Sequence, residues 1–207
     1  MARLTSEDFE KRKAVINLAA LTCFTKSGYN GVTMRDIAQQ AKIPLGSLYN
    51  YYEDKLTLFK EIVNEQSGQF LSIDNDVIKY LLNSQFPDDL PVLAEAIRKS
   101  VVRYESYFKL MYIDVVEFDG EHIKEVFSDL DEKFKSVMEQ RFRTVGLLGP
   151  GKIDPVFAFI SIYLSFYQYF ILSKLFGATK IFGKMSDRQV VDGLIEVLKN
   201  GIGRGAA

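Results

Sequence analysis

The stretch that decides the fold is TMRDIAQQAKIPLGSLYNYY, residues 33–52. Thr33 and Asp36 stand at the spacing of a capping box, in which the hydroxyl accepts the N–H three residues on and the carboxylate accepts the first N–H in return. Met34, Ile37, Ala38 and Ala41 then share one face of a short helix, Thr33–Ala41. A turn ending at Pro44 leads into a second short helix, Leu45–Tyr51, whose first φ the proline presets. Two short helices joined this tightly have helix-turn-helix dimensions, and the second is small enough for a major groove about 12 Å wide.

Outward from this core the pattern stays helical. Thr5 and Asp8 form another capping box, and Phe9, Ile16, Ala20 and Phe24 follow at helical spacing. That helix ends at Ser27-Gly28, where glycine can take a left-handed cap. Asp54 caps a long fourth helix expected to run toward Asn83, carrying Leu58, Ile62 and Phe70. After the break at Pro87–Pro91, one helix reaches about Phe108 and a short one Glu117. Beyond Asp119-Gly120 an amphipathic helix spans Glu121–Leu148 and stops before Gly149-Pro150-Gly151. Asp154 caps an aromatic helix to Phe176, and Ser186 with Gln189 caps a last one to about Asn200, before a glycine-rich end, 201–207, expected to fray.

No sustained period-two alternation occurs, so the expected class is all-α: a three-helix head with the helix-turn-helix and a larger helical body. The division falls at 53/54, where the fourth helix joins head to body without a tether.

Composition narrows the class further. Apolar residues at 47 % and charged residues at 26 % are ordinary for a globular chain. The net charge of −1 is uneven: residues 1–60 hold nine Lys/Arg against six Asp/Glu, and residues 61–207 seventeen against twenty-one. A basic head suits a polyanion. One cysteine, Cys23, excludes an internal disulfide and a thiolate cage and fits a reducing cytoplasm. Two stretches imitate membrane signals. Lys11-Arg12-Lys13 before an apolar run follows acids and precedes no cleavage site, unlike a leader. Residues 155–173 are uncharged, but their serines, Gln168 and tyrosines suit a buried interface helix better than a span, and no membrane partner is expected.

Between Lys13 and Leu58, the residues Ala19-Ala20, Phe24, Gly28-Tyr29, Thr33, Asp36-Ile37-Ala38, Ala41, Ile43, Gly46-Ser47-Leu48-Tyr49, Tyr52, Lys55 and Leu58 resemble, in one register, the N-terminal signature of the TetR family of transcriptional regulators. The resemblance implies operator contacts at Thr33, Lys42, Pro44, Leu45, Gly46, Ser47, Tyr49, Asn50, Tyr51 and Lys55. Gly46 lets backbone approach DNA, Leu45 and Ser47 reach base edges, and Tyr49, Tyr51 and Lys55 hold phosphates. Two residues depart from the family pattern: Lys42 replaces a turn glycine, and Pro44 replaces a capping hydroxyl.

The body carries aromatics without a motif. Its expected effector wall is Tyr104, Tyr107, Phe108, Met111, Tyr112, Phe134, Phe159, Tyr163, Phe166, Tyr167 and Phe170, residues that core packing explains one by one and that the resemblance places in an inducer pocket. The resemblance also pairs the last two helices with their copies in a homodimer, through Ala158, Ser161, Ser165, Val191, Leu194 and Leu198. A small-molecule effector and operator DNA complete the expected partners. The rival class is a helical enzyme or scaffold whose N-terminal helices are only structural. Against an enzyme, His122 is the one histidine and stands in an exposed-looking helix start, and neither a metal-ligand set nor a phosphate loop is present, so no metal or cofactor is expected. Asp114 and Glu117 read equally as a solvated face or, if inward, as a bias toward cationic effectors.

Overall fold

The computed structural model of the chain describes residues 5–144, 154–177 and 182–200, the side chains of residues 125–127, 129–134, 144 and 200 excepted. These residues hold ten helices and no strand: α1 Ser6–Ser27, α2 Met34–Gln40, α3 Leu45–Leu48, α4 Lys55–Phe70, α5 Asp76–Asn83, α6 Leu90–Arg103, α7 Glu105–Phe118, α8 Ile123–Thr144, α9 Pro155–Phe176 and α10 Asp187–Asn200. The chain divides into two compact units, Met1–Phe70 with Ser106–Asp129, and Leu71–Glu105 with Leu130–Ala207.

In the first unit α1 packs on α2 and α4, and α2 on α3. Ile16, Ala20, Phe24, Ile37, Leu48, Leu58, Phe59 and Ile62 are almost wholly buried between them. A polar chain runs from this core out to exposed Glu65. The Tyr52 hydroxyl donates to Asn17 Oδ1, and Asn17 Nδ2 donates to Glu65 Oε2 at 2.9 Å. Burial pushes the Tyr52 phenol far up, so it stays a donor.

In the second unit α6 is the hub, packed against α5, α9 and α10. Phe86, Phe142 and Phe159 meet in its core, and Phe159, Tyr163 and Tyr167 stack in succession along α9. The Tyr169 hydroxyl donates to Asp187 at the start of α10. By length and composition α9 could cross a membrane; 33 % of its most apolar window is buried, and the helix packs on α6 and α10 of its own unit.

Several expected boundaries move. The long fourth helix stops at Phe70: Asn75, nearly buried, turns its side chain onto the Val77 N–H and starts α5 afresh. The helix expected to reach Phe108 ends at Arg103, where Tyr104 leaves helical geometry at φ −105° and ψ 27°. The third helix is one turn long, and residues 49–51 continue as turn. Gly28 has the positive φ expected of it, 74°, but with an extended ψ of 175° it is not a left-handed cap. The turn at 149–151 and the terminus at 201–207 lie outside the described residues.

Candidate nucleic-acid interface

The capping box of α2 forms as drawn from sequence. The Asp36 N–H donates to Thr33 Oγ1 at 3.2 Å, and the Thr33 N–H donates to Asp36 Oδ2 at 2.8 Å. The Thr33 hydroxyl also donates to Asp36 Oδ2, at 2.6 Å, and this bond first, then that of the Thr33 N–H, holds the Asp36 carboxyl below the ordinary aspartate range. The far end of α2 is a Schellman closure: Ile43 N–H donates to Ala38 O, and Lys42 N–H to Gln39 O. That closure puts Lys42 at φ 56°, the left-handed region that favours glycine. Pro44 caps α3 with its backbone alone.

Lys42, Pro44, Gly46, Tyr49 and Asn50 are exposed, Leu45 and Ser47 half-buried, and Leu48 wholly buried as the anchor of α3. A Cβ at Gly46 would meet nothing within 4 Å, so no neighbouring group demands a glycine there. Thr33, Leu45, Tyr49 and Lys55 line one open concavity of ≈ 520 Å³ with Asn30, Val32, Met34 and Arg35. Tyr51 lies elsewhere: its ring stacks on Phe9 at 4.6 Å and its hydroxyl is buried.

Lys55 is held from the head's interior. Its ammonium donates to the carbonyls of Tyr29 and Val32, each at 2.8 Å, and sits 4.0 Å from the centre of the Tyr29 ring. The opposite edge of this loop is held by Glu117, whose two oxygens accept the N–H groups of Tyr29 at 2.8 Å and Asn30 at 2.7 Å. Burial first, then the Asp54 and Glu117 charges, push the Tyr29 phenol up. Phe118 packs on Tyr29, Phe59 and His122.

His122 is therefore not the surface residue its Glu-His-Ile-Lys setting suggested. Its side chain is 9 % exposed and its Nδ1 lies 2.6 Å from Asp114 Oδ1. Asp114 is completely buried and also accepts the N–H groups of His122 and Ile123. Neither acid is a solvated face, and neither is left to greet a cationic effector. What sequence reading missed is their distance from the motif: Glu117 is 88 residues from Tyr29, and no local pattern marks the pair.

Residues 16–62 match the family described as bacterial regulatory proteins, tetR family. The match covers part of the chain, from Ile16 in α1 to Ile62 in α4, and includes the whole helix-turn-helix. Among curated proteins, the repressor BepR of Brucella suis is 30 % identical over 97 residues, 47 % of this chain and 44 % of BepR. The repressor KstR of Rhodococcus jostii is 35 % identical over 66 residues, 32 % of this chain and 29 % of KstR. The chain thus spans less than half the length of these relatives. Solved structures extend the similarity of fold across both units. The fatty acid degradation regulator FadR of Bacillus halodurans superposes with a TM-score of 0.63 at 16 % identity, over 91 % of this chain and 95 % of that one. NalD of Pseudomonas aeruginosa, the secondary repressor of a multidrug efflux pump, gives 0.57 at 19 % identity, over 95 % and 99 %. At such identities the likeness is one of fold.

Outside the matched residues, the expected effector residues are distributed over both units. Tyr107 and Phe108 are buried in the first unit against Phe70, with ring centres 4.7 and 5.5 Å away. Burial pushes the Tyr107 phenol up to about 12. Met111 is half-buried and Tyr112 exposed on the same helix. Tyr104, Phe159, Phe166 and Phe170 are core residues of the second unit, with Tyr163 and Tyr167 half-buried. Phe134 lies outside the described side chains. Ala158, Ser161 and Ser165 are half-buried on α9, with exposed Phe157 and Leu164 beside them. Val191, Leu194 and Leu198 are half-buried on α10.

Proposed function

We propose that the chain is a DNA-binding transcriptional repressor, a homodimer that grips an inverted-repeat operator and releases it when a small apolar or aromatic effector binds. Residues 1–53 act as the DNA-binding domain and 54–207 as the ligand-binding and dimerisation domain, in the cytoplasm. The observation that carries this reading is the tetR-family head with its outward concavity of Thr33, Leu45, Tyr49 and Lys55. Leu45 and Ser47 meet base edges, Tyr49, Asn50 and Lys42 meet phosphate and sugar, and the ammonium of Lys55 keeps a third N–H for the backbone while holding the loop. Tyr51 contributes by bracing Phe9 of α1.

Dimer contacts run through α9 and α10, where Phe157, Ile160, Leu164 and Val197 are exposed around the small Ala158, Ser161 and Ser165. A twofold axis there sets two heads on half-sites about 34 Å or somewhat more apart. The effector packs against the body aromatics and must prefer the DNA-incompetent arrangement, since equal affinity for both shifts nothing.

Genomic fragments retained by the protein, tested by gel shift against competitor DNA, check the reading. The expected result is a retained inverted repeat bound at two chains per site, with Ser47→Ala changing preference among operators. Retention no better than competitor DNA favours the rival helical enzyme or scaffold. A thermal-shift screen of apolar and aromatic compounds, followed by operator titration, tests the effector. Stabilising compounds that leave operator affinity untouched remove the coupling.

A further inference from the structure

The loop between α1 and α2 is fixed by two charged side chains that lie far apart in sequence. Glu117 takes its consecutive N–H groups at Tyr29 and Asn30, and Lys55 takes its carbonyls at Tyr29 and Val32. Charge-assisted bonds to successive amides fix the orientation of the peptide planes as well as their place. Three features make this a built seat. A Cβ at Gly28 would stand 2.7 Å from Glu117 Oε1, so the carboxylate approaches over a residue without a side chain. Glu117 is in the last turn of α7, where the helix dipole disfavours an anion, so the acid serves the loop rather than its own helix. One turn earlier, Asp114 ties α7 to the N–H groups of His122 and Ile123, anchoring the helix that presents Glu117. Val32, next along the loop, is buried, and Thr33 then caps α2.

We propose that Glu117 is a positioning residue for DNA recognition: without touching DNA, it sets the α1–α2 loop and thereby orients α2 and α3 for an operator. The proposal rests on the DNA-binding reading above.

Glu117→Gln keeps the shape and turns one acceptor into a donor facing an N–H. In the full-length protein, below its melting temperature, hydrogen exchange at the amides of Tyr29 and Asn30 is expected to speed up about tenfold. Operator affinity is expected to fall about tenfold or more. Affinity for non-specific DNA, and the salt slope, should stay as they were, because no phosphate contact is lost. Glu117→Asp keeps the charge with a shorter reach and should fall between; it carries the same comparison where the glutamine variant melts too low. Unchanged exchange, or faster exchange with operator affinity intact, overturns the proposal alone. So does an equal loss on specific and non-specific DNA. An unmodified protein that selects no operator overturns the DNA reading and the proposal together.

Discussion

The outward side of the helix-turn-helix and the outward side of α9 are both open to water and are made of opposite materials. Around α3, water meets Lys42, Pro44, Gly46, Tyr49 and Asn50. Along α9 it meets Phe157, Ile160 and Leu164, all between 40 % and 66 % exposed. The first surface loses little when hydrated and gains from a polyanion that hydrogen-bonds it. The second gains only when another apolar surface covers it. The two regions are also held differently. A capping box and a Schellman closure bound the short α2 closely, whereas between its own caps the long α9 is held by bulk, with aromatic rings stacked along it. On the proposed function, a surface matched to a rigid external helix constrains residue by residue, and one that is only covered constrains by volume.

The sharpest way to break this contrast is Leu164→Arg. Leu164 is exposed in the single chain, so its replacement should leave helicity unchanged, but in the proposed dimer it buries an unpaired guanidinium. That costs about 3–5 kcal/mol, more than a hundredfold in association. Sedimentation should report a monomer, and an undisturbed dimer would place the contact between copies elsewhere.

Gly46→Ala tests the other face. A Cβ there meets nothing inside the protein, so the melting temperature should hold or rise slightly, while operator affinity falls about tenfold, roughly 1.4 kcal/mol. A full-affinity alanine variant would mean that no backbone approaches DNA at Gly46.

Lys42→Gly separates strain from charge. Removing a side chain from φ 56° should stabilise the protein by about 1 kcal/mol, while the operator salt slope loses about one ion. A stabilised variant with an unchanged slope would take Lys42 off the DNA.

The smallest effect concerns acid. Asp36 is held below its ordinary value by Thr33, and Asp54 by the Thr57 N–H. A lowered folded-state pKa adds stability that is fully present above the unfolded value and is lost as pH falls through the folded one. Thermal melts below about pH 4 should therefore decline less steeply for Asp36→Asn than for the unmodified chain. Equal slopes would mean the capping box adds nothing.

The head was legible because its signals are local. Thr33 with Asp36, Ala38 with Ile43, and Pro44 with Leu48 close within five residues of each other, so spacing alone announces them. The all-helical body was legible for the same reason: its caps at Asp154 and Ser186 bond within three residues. Boundaries failed where a side chain began a new helix inside a continuous apolar pattern, as Asn75 does by accepting the Val77 N–H. Glu117, Asp114 and His122 were illegible in kind. Their identities state that they need partners, but Glu117's partners are fixed by how α1 and α7 meet, which no short window contains.

The polar chain through the head core has one more consequence, which is direction. Ionised Glu65 can only accept, so the Asn17 amide must offer it N–H and turn its oxygen toward Tyr52, which must then donate. One carboxylate on α4 thus dictates the rotamer of an amide on α1 and the proton of a phenol just after α3, leaving no flipped alternative of equal energy. Asn17→Asp would end the sequence in two acceptors facing each other, and Tyr52→Phe would leave the amide oxygen mute. Helices α1 and α4 and the turn after α3 therefore share a single grammatical order, and so small a core is kept from settling into two readings.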